Sequence, residues 1–199
     1  EGNELDSWKF RPVNHVIGID VARFGDDNTV LTALDNYKHL GTEWYNGKDT
    51  MKTVGQAIGM MKANGWAQDD TLFVVDDTGV GGGVTDRLNE LGYNVLPVNN
   101  GCKPTEEAID DFVTLKDQVY WHLRSVFRDD LISLQDLGRV VGEVPKIRYD
   151  YTSNGKIKIV DKKTMKKEGE SSPDFADSLA LAVWGARLGS AVASVDPEV

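Results

Sequence analysis

The run Val16-Ile17-Gly18-Ile19-Asp20 constrains this chain more than any other stretch. Ile17 and Ile19 are β-branched and suit a strand, and the following Arg23-Phe24-Gly25-Asp26-Asp27 reads as a turn. An ionised aspartate at the end of a buried strand is unfavourable unless a cation meets it. Two later stretches repeat the arrangement. Leu72-Phe73-Val74-Val75-Asp76 is a second apolar strand ending in a carboxylate, and Ser172-Pro173-Asp174-Phe175-Ala176-Asp177 opens an apolar helix with two more. Three acidic stations on three core elements point to a divalent-metal site.

At 199 residues, with 40% hydrophobic and 27% charged residues, the chain is long enough for one domain with a full core. Cys102 is the single cysteine, which excludes a disulfide framework and a cysteine-based zinc site and fits a reducing compartment. No apolar run approaches the ~20 residues of a membrane span, and no signal peptide precedes the first strand. The chain starts at Glu1 without Met and reads as a domain cut from something longer. A net charge of −10 argues against nucleic acid at first sight. Its distribution answers part of that objection. Lys146, Arg148, Lys156, Lys158, Lys162, Lys163, Lys166 and Lys167 stand against only Asp150 and Asp161, so this segment carries +6 and the remainder −16. Such a stripe serves either as a nucleic-acid contact beside the carboxylates or as the solvated, lysine-guarded edge of a hairpin.

Taken in order, residues 1–14 form a polar lead-in with Trp8 and Phe10 as packing anchors. Val16–Val21, Thr29–Asp35 and Leu40–Asn46 are strand-like and joined by short turns, which makes them antiparallel neighbours. Met51, Val54, Ile58 and Met61 give residues 48–64 a helical period that Gly65 stops. Thr71–Asp76 is continuously apolar, as a central strand is. A helix over Gly82–Leu91 and a strand over Tyr93–Val98 follow. Ile109, Phe112, Val113, Tyr120, Leu123 and Phe127 predict one long helix over Glu106–Asp129, with Trp121 in the core. Ser153-Asn154-Gly155 turns a hairpin between Pro145–Tyr151 and Lys156–Val160. Lys162–Gly169 is a short basic helix or loop. Pro173–Leu188 is the final helix, with Ser172 as its N-cap, and residues 190–199 are a flexible tail. Residues 15–189 thus form one domain with a hairpin insertion at about 145–160.

This order describes an α/β sheet of mixed direction with helices on both faces. Three antiparallel strands followed by parallel ones match the ribonuclease H-like arrangement, whose first and fourth strands lie side by side. That would join Asp20 to Asp76 at one sheet edge, with the final helix packed across it. Asp174 and Asp177, three residues apart, share a helix face.

Three blocks carry a family resemblance: "GIDVARFGDDNTVLTAL", "FVVDDTGVGGGVTDRLNELG" and "SSPDFADSLALAVWG". In order and spacing they resemble the C-terminal nuclease domain of the large terminase subunit, the genome-packaging motor of tailed bacteriophages. The likeness runs from Val16 to about Leu188. It implies catalytic aspartates at Asp20, Asp76 and Asp177, with Asp174 as a further metal ligand, and two Mg²⁺ or Mn²⁺ ions as cofactors. It implies cleavage of double-stranded concatemeric DNA with low sequence specificity, in the cytoplasm of the infected host at the procapsid portal. The implied partners are the packaging ATPase domain that precedes the nuclease in the family, the portal and the small terminase subunit.

The chemistry fits those residue types. Two hard cations about 3.5–4 Å apart take oxygen ligands, activate water and stabilise a leaving oxygen. Asp20 on a central strand suits a shared ligand, Asp76 serves one ion, and Asp177 with Asp174 the other. Without metal the carboxylates repel and one tends to stay protonated. Each has a plainer reading as well: Asp20 as a turn residue, Asp174 and Asp177 as first-turn residues favoured by the helix dipole. Asp77 competes with Asp76, but alternation sends it to the opposite face. Asp26 and Asp27 suit a turn. The run Thr78-Gly79-Val80-Gly81-Gly82-Gly83 lacks a phosphate-loop lysine and a full GxGxxG, so it reads as a loop for close backbone approach. His15, His39 and His122 are scattered. Lys156, Lys158, Lys162, Lys163, Lys166 and Lys167 are the candidate DNA contacts. Two other functions stay open: an actin-like ATPase, which shares the superfold and the G-[IV]-D opening, and a non-catalytic docking module of a packaging motor.

Overall fold

A computed structural model describes residues 13–22, 27–47, 49–135 and 138–193, with side chains to residue 188. Trp8, Phe10, Asp26 and the tail from residue 194 lie outside the described residues. Three antiparallel strands open the fold: β1 (His15–Asp20), β2 (Thr29–Asp35) and β3 (Lys38–Tyr45). Two further strands, β4 (Thr71–Asp76) and β5 (Asn94–Val98), run parallel to β1 and give the order β3-β2-β1-β4-β5. This is the ribonuclease H-like order expected from the sequence. β1 is central, and its pairing of Ile19 with Val75 brings the ends of β1 and β4 side by side.

Side-chain alternation divides the core between the two sheet faces. Ile17, Ile19, Phe73 and Val75 pack with helices α1 (Thr50–Ala63) and α2 (Gly82–Glu90). Val16, Leu72 and Val74 pack with α3 (Leu115–Arg128) and α6 (Asp174–Ala193). Asp20 and Asp76 share the parity of that second set, so β1 and β4 present their terminal carboxylates on the α6 side. α6 lies unusually close to the sheet. A Cβ on Gly18 would stand 2.3 Å from the Ser178 carbonyl oxygen and 2.5 Å from the Ala182 nitrogen. The Ser178 hydroxyl donates to the Gly18 carbonyl at 3.0 Å and lies 2.9 Å from the Thr32 hydroxyl. Glycine at 18 is what lets the helix approach.

Four local expectations need correction. The long helix divides into a single 3-10 turn at Glu106–Ala108 and α3. Backbone of the intervening segment bonds the hairpin instead: Ile157 N donates to Asp111 O and Val113 N to Ile157 O. A capping box of Thr114 and Asp117 then starts α3. Met51 faces solvent, at 52% exposure, while Val54, Ala57, Met60 and Met61 form the buried stripe of α1. Trp121 is half-buried, with the Arg124 guanidinium 4.6 Å from its ring. Finally, α6 begins at Asp174 and is capped by the Glu143 carboxylate, which accepts from Phe175 N at 2.8 Å and Ala176 N at 3.0 Å. Ser172 is not its cap.

The hairpin is a separate two-stranded sheet, β6 (Tyr149–Tyr151) with β7 (Ile157–Ile159), turned where Gly155 takes φ +79°. Asp117 ties it to α3 by accepting from Ile159 N at 2.7 Å. Two short helices, α4 (Gly138–Glu143) and α5 (Lys162–Lys167), flank the start of α6.

Candidate metal centre

Asp20, Asp174 and Asp177 converge where β1 ends beneath the first turn of α6. One oxygen from each lies within 4.8 Å of the others, and the three residues are 6%, 3% and 5% exposed. α6 sets this arrangement directly. Its first turn places Asp174 and Asp177 on one face, and the contact over Gly18 presses that face onto the end of β1. Asp76 stands beside the trio and contributes to the potential at Asp20. It is partly exposed and oriented by Asn100 Nδ2 at 2.8 Å and Thr78 N at 2.9 Å. Asp77 points away and accepts from the Thr85 hydroxyl at 2.8 Å.

A single ammonium sits against the three carboxylates. Lys162 Nζ, at the start of α5, lies 2.7 Å from Asp177 Oδ2, 3.6 Å from Asp174 Oδ1 and 3.8 Å from Asp20 Oδ2. Burial pulls this ammonium toward neutrality, but Asp20, Asp177 and Asp174 reverse the effect and hold it charged. Burial also raises the Asp20 carboxyl well above the usual range; Lys162 opposes the rise, while Asp177, Asp76 and Asp174 add to it. Asp177 resists its burial because Lys116, Lys162 and the Tyr120 hydroxyl together keep its carboxyl below the usual range. Tyr120 donates to Asp177 Oδ1 at 2.5 Å, and Lys116 Nζ lies 3.6 Å from the same oxygen. Asp174 Oδ2 accepts from Asn28 N at 2.8 Å, whereas its buried Oδ1 has no hydrogen-bond donor.

An all-oxygen donor set, an undonated buried oxygen and carboxylates in excess of nearby cations fit Mg²⁺ or Mn²⁺. Histidine takes no part: His39 Nε2 meets Thr42 at 2.9 Å, His15 stacks on Trp66, and His122 packs on Trp184. The glycine loop after β4 folds onto its own chain. A Cβ on Gly81 would fall 1.7 Å from the Asp76 carbonyl oxygen.

The six candidate lysines separate. Lys162 belongs to the carboxylate cluster. Lys166, on the same helix, pairs with Asp27 at 3.0 Å. Lys163 and Lys167 are exposed. Lys158 is exposed on the hairpin opposite Asp150, and Lys156 donates to the Ile109 carbonyl at 2.6 Å. Sequence reasoning missed Lys116, Tyr120, Asn100 and Glu143. The four-residue spacing of Lys116 and Tyr120 on one helix face was a usable signal. Asn100 follows a strand parallel to β4, so topology could have placed it. Nothing in the sequence singles out Glu143.

No protein-family model matches the sequence, and no curated protein matches it. Solved structures do. The nuclease domain of the large terminase subunit gp2 of bacterial virus Sf6 superposes with a TM-score of 0.72 at 21% identity, over 88% of this chain and 90% of that one. The large terminase nuclease of thermophilic phage G20c, solved with bound magnesium, gives 0.64 at 21% identity, over 88% and 83%. The large terminase nuclease domain of Thermus phage P74-26 gives 0.59 at 19% identity, over 87% and 80%. The chain has their fold. At identities this low the likeness speaks for the ribonuclease H-like architecture.

Proposed function

We propose that residues 15–189 form the nuclease domain of a phage genome-packaging motor, an endonuclease that hydrolyses phosphodiester bonds of double-stranded DNA using two Mg²⁺ or Mn²⁺ ions. The observation that carries this reading is the convergence of Asp20, Asp174 and Asp177, with Asp76 alongside, at the end of β1 and β4. Support comes from the large terminase nuclease of phage G20c, which has the same fold and was solved both with magnesium and with cobalt.

Asp20 is the shared ligand, because hydrogen bonds to neighbours on both sides fix its strand. Asp174 and Asp177 would hold one ion, and Asp76 would contribute to the other. Bound there, the ions supply Lewis acidity toward the phosphate and lower the pKa of the attacking water. Tyr120 and Lys116 fix the orientation of Asp177, and Asn28 fixes that of Asp174. Lys162, together with Lys116 beside Asp177, supplies positive charge among the carboxylates in the free protein. Concatemeric viral DNA with low sequence preference is the substrate, and the host cytoplasm at the procapsid portal is the place. The packaging ATPase domain, portal and small terminase subunit are the partners.

Plasmid cleavage in Mn²⁺, Mg²⁺ or EDTA tests this, comparing wild type with Asp20→Asn and Asp177→Asn. The expected result is metal-dependent nicking and linearisation, reduced at least about 100-fold in both variants. Cleavage that persists in EDTA, or that both variants retain, overturns the assignment.

A further inference from the structure

A cavity of about 590 Å³ opens beside Asp174, between α4, α5 and the segment entering α6. Most of the charges lining it are engaged. Lys166 pairs with Asp27 at 3.0 Å, Lys146 pairs with Glu170 at 2.8 Å, and Glu143 caps α6. Two donors remain. Among the described residues no carboxylate pairs with Arg139. Its guanidinium carbon lies 4.1 Å from the Trp44 ring centroid and 5.3 Å from that of Phe175. Stacking of this kind fixes the plane of the guanidinium and leaves its N–H edges for a forked acceptor. The second donor is Ser172, only 9% exposed, whose Oγ is buried and has no hydrogen-bond partner. Buried hydroxyls are rarely left unpaired, so this one is a donor available to a bound group.

A DNA strand carries a phosphate at every nucleotide, so a strand held at the carboxylates necessarily lays its neighbouring phosphates on the flanking surface. On the nuclease reading, on which this inference rests, we infer that the cavity is a subsite for a backbone phosphate next to the cut bond. Arg139 contacts that phosphate through its forked edge and Ser172 through its hydroxyl. Asp174 and Glu143 face the same space, so the phosphate is held well only when divalent cations neutralise the carboxylate cluster.

Fluorescence anisotropy of a short labelled DNA duplex in calcium, over a salt series, tests the subsite in wild type, Arg139→Gln and Ser172→Ala. KM for DNA cleavage in manganese is measured in parallel, and manganese calorimetry monitors the metal site. Arg139→Gln is expected to weaken binding about tenfold and to lower the salt slope by about one. Ser172→Ala is expected to weaken it roughly threefold to fivefold with no loss of Tm, because the hydroxyl has no partner in the free protein. Manganese affinity stays at the wild-type value in both. A wild type that binds and cuts while Arg139→Gln matches it in affinity, KM and slope overturns the subsite alone. Loss of Tm in Ser172→Ala overturns the role of its hydroxyl. A wild type that neither binds DNA in calcium nor cuts it in manganese overturns the nuclease reading and the subsite with it.

Discussion

The first turn and the middle of α6 bury polar groups against α3 and resolve them in different ways. At the first turn, Asp174 and Asp177 join Asp20 with Lys162, Lys116 and Tyr120 around them, and the charges are kept. Three turns on, Trp184 and Arg187 meet His122 of α3. The Arg187 guanidinium carbon lies 3.5 Å from the Trp184 ring centroid, His122 stands edge-on to Trp184, and the Tyr37 hydroxyl lies 3.5 Å from His122 Nε2. Here burial, helped by Arg187, pushes His122 down to about 4, so at neutral pH the ring stays uncharged. The first turn thus holds anions in excess of its internal partners. The middle of the helix keeps His122 neutral beside the charged Arg187 guanidinium, which rests on the Trp184 ring. Clustered carboxylates of like charge call for a cation to compensate them, so the first turn is where the proposed metal would sit.

Metal gives the sharpest test of this contrast. Manganese at a hundredfold excess over Kd should stabilise the wild type by about 2.7 kcal/mol. In Asp20→Asn that gain should vanish, while the metal-free variant melts above the metal-free wild type. Burial and three neighbouring carboxylates raise the Asp20 carboxyl, so its ionised form opposes folding. Thermal melts with and without manganese read both effects. An Asp20→Asn protein that is less stable than wild type without metal would show that the charges there are balanced after all.

Acid tests the middle of the helix. With His122 near 6.5 unfolded and about 4 folded, the unfolded chain binds the extra proton between those values. Its stabilisation is therefore complete above about 6.5 and is lost as pH falls toward 4, by about 2–3 kcal/mol. Urea melts across that range should show the loss, and His122→Phe should flatten it while leaving manganese affinity alone. The smallest effect is expected from Tyr120→Phe, which removes one hydrogen bond to Asp177. It should weaken manganese binding roughly fivefold, as loss of a bond worth about 1 kcal/mol would. Calorimetry on both variants separates the two regions.

Much of the fold was legible because its signals are local. Val16–Asp20 and Leu72–Asp76 carry their apolar character in consecutive residues, and Ser153-Asn154-Gly155 has one obvious use as a turn. The periodicity of Ile109, Phe112 and Val113 suggests a helix, but Phe112 and Val113 meet β7 at Ile157 and Ile109 is exposed. Period alone cannot tell a helix face from a segment held by a distant strand. α4 gave no signal at all. Its six residues are too few for a periodic pattern, and its service to α6 through Glu143 is a contact across 32 positions.

The sequence by itself determined which residue types would supply the chemistry: aspartates ending β1 and β4 and opening α6, because element type and alternation are set by neighbours along the chain. Tertiary structure alone decided how those carboxylates are balanced. Lys162, within a basic stripe that suggested DNA contact, turns inward to Asp177, while Lys166 four residues later faces the flanking cavity. Tyr120, spaced like a core residue, holds a carboxylate. The close seat of α6 over Gly18 makes these meetings possible, and it depends on atoms about 160 residues apart in sequence. Charge acts through space, so only the assembled fold can say which cation answers which anion.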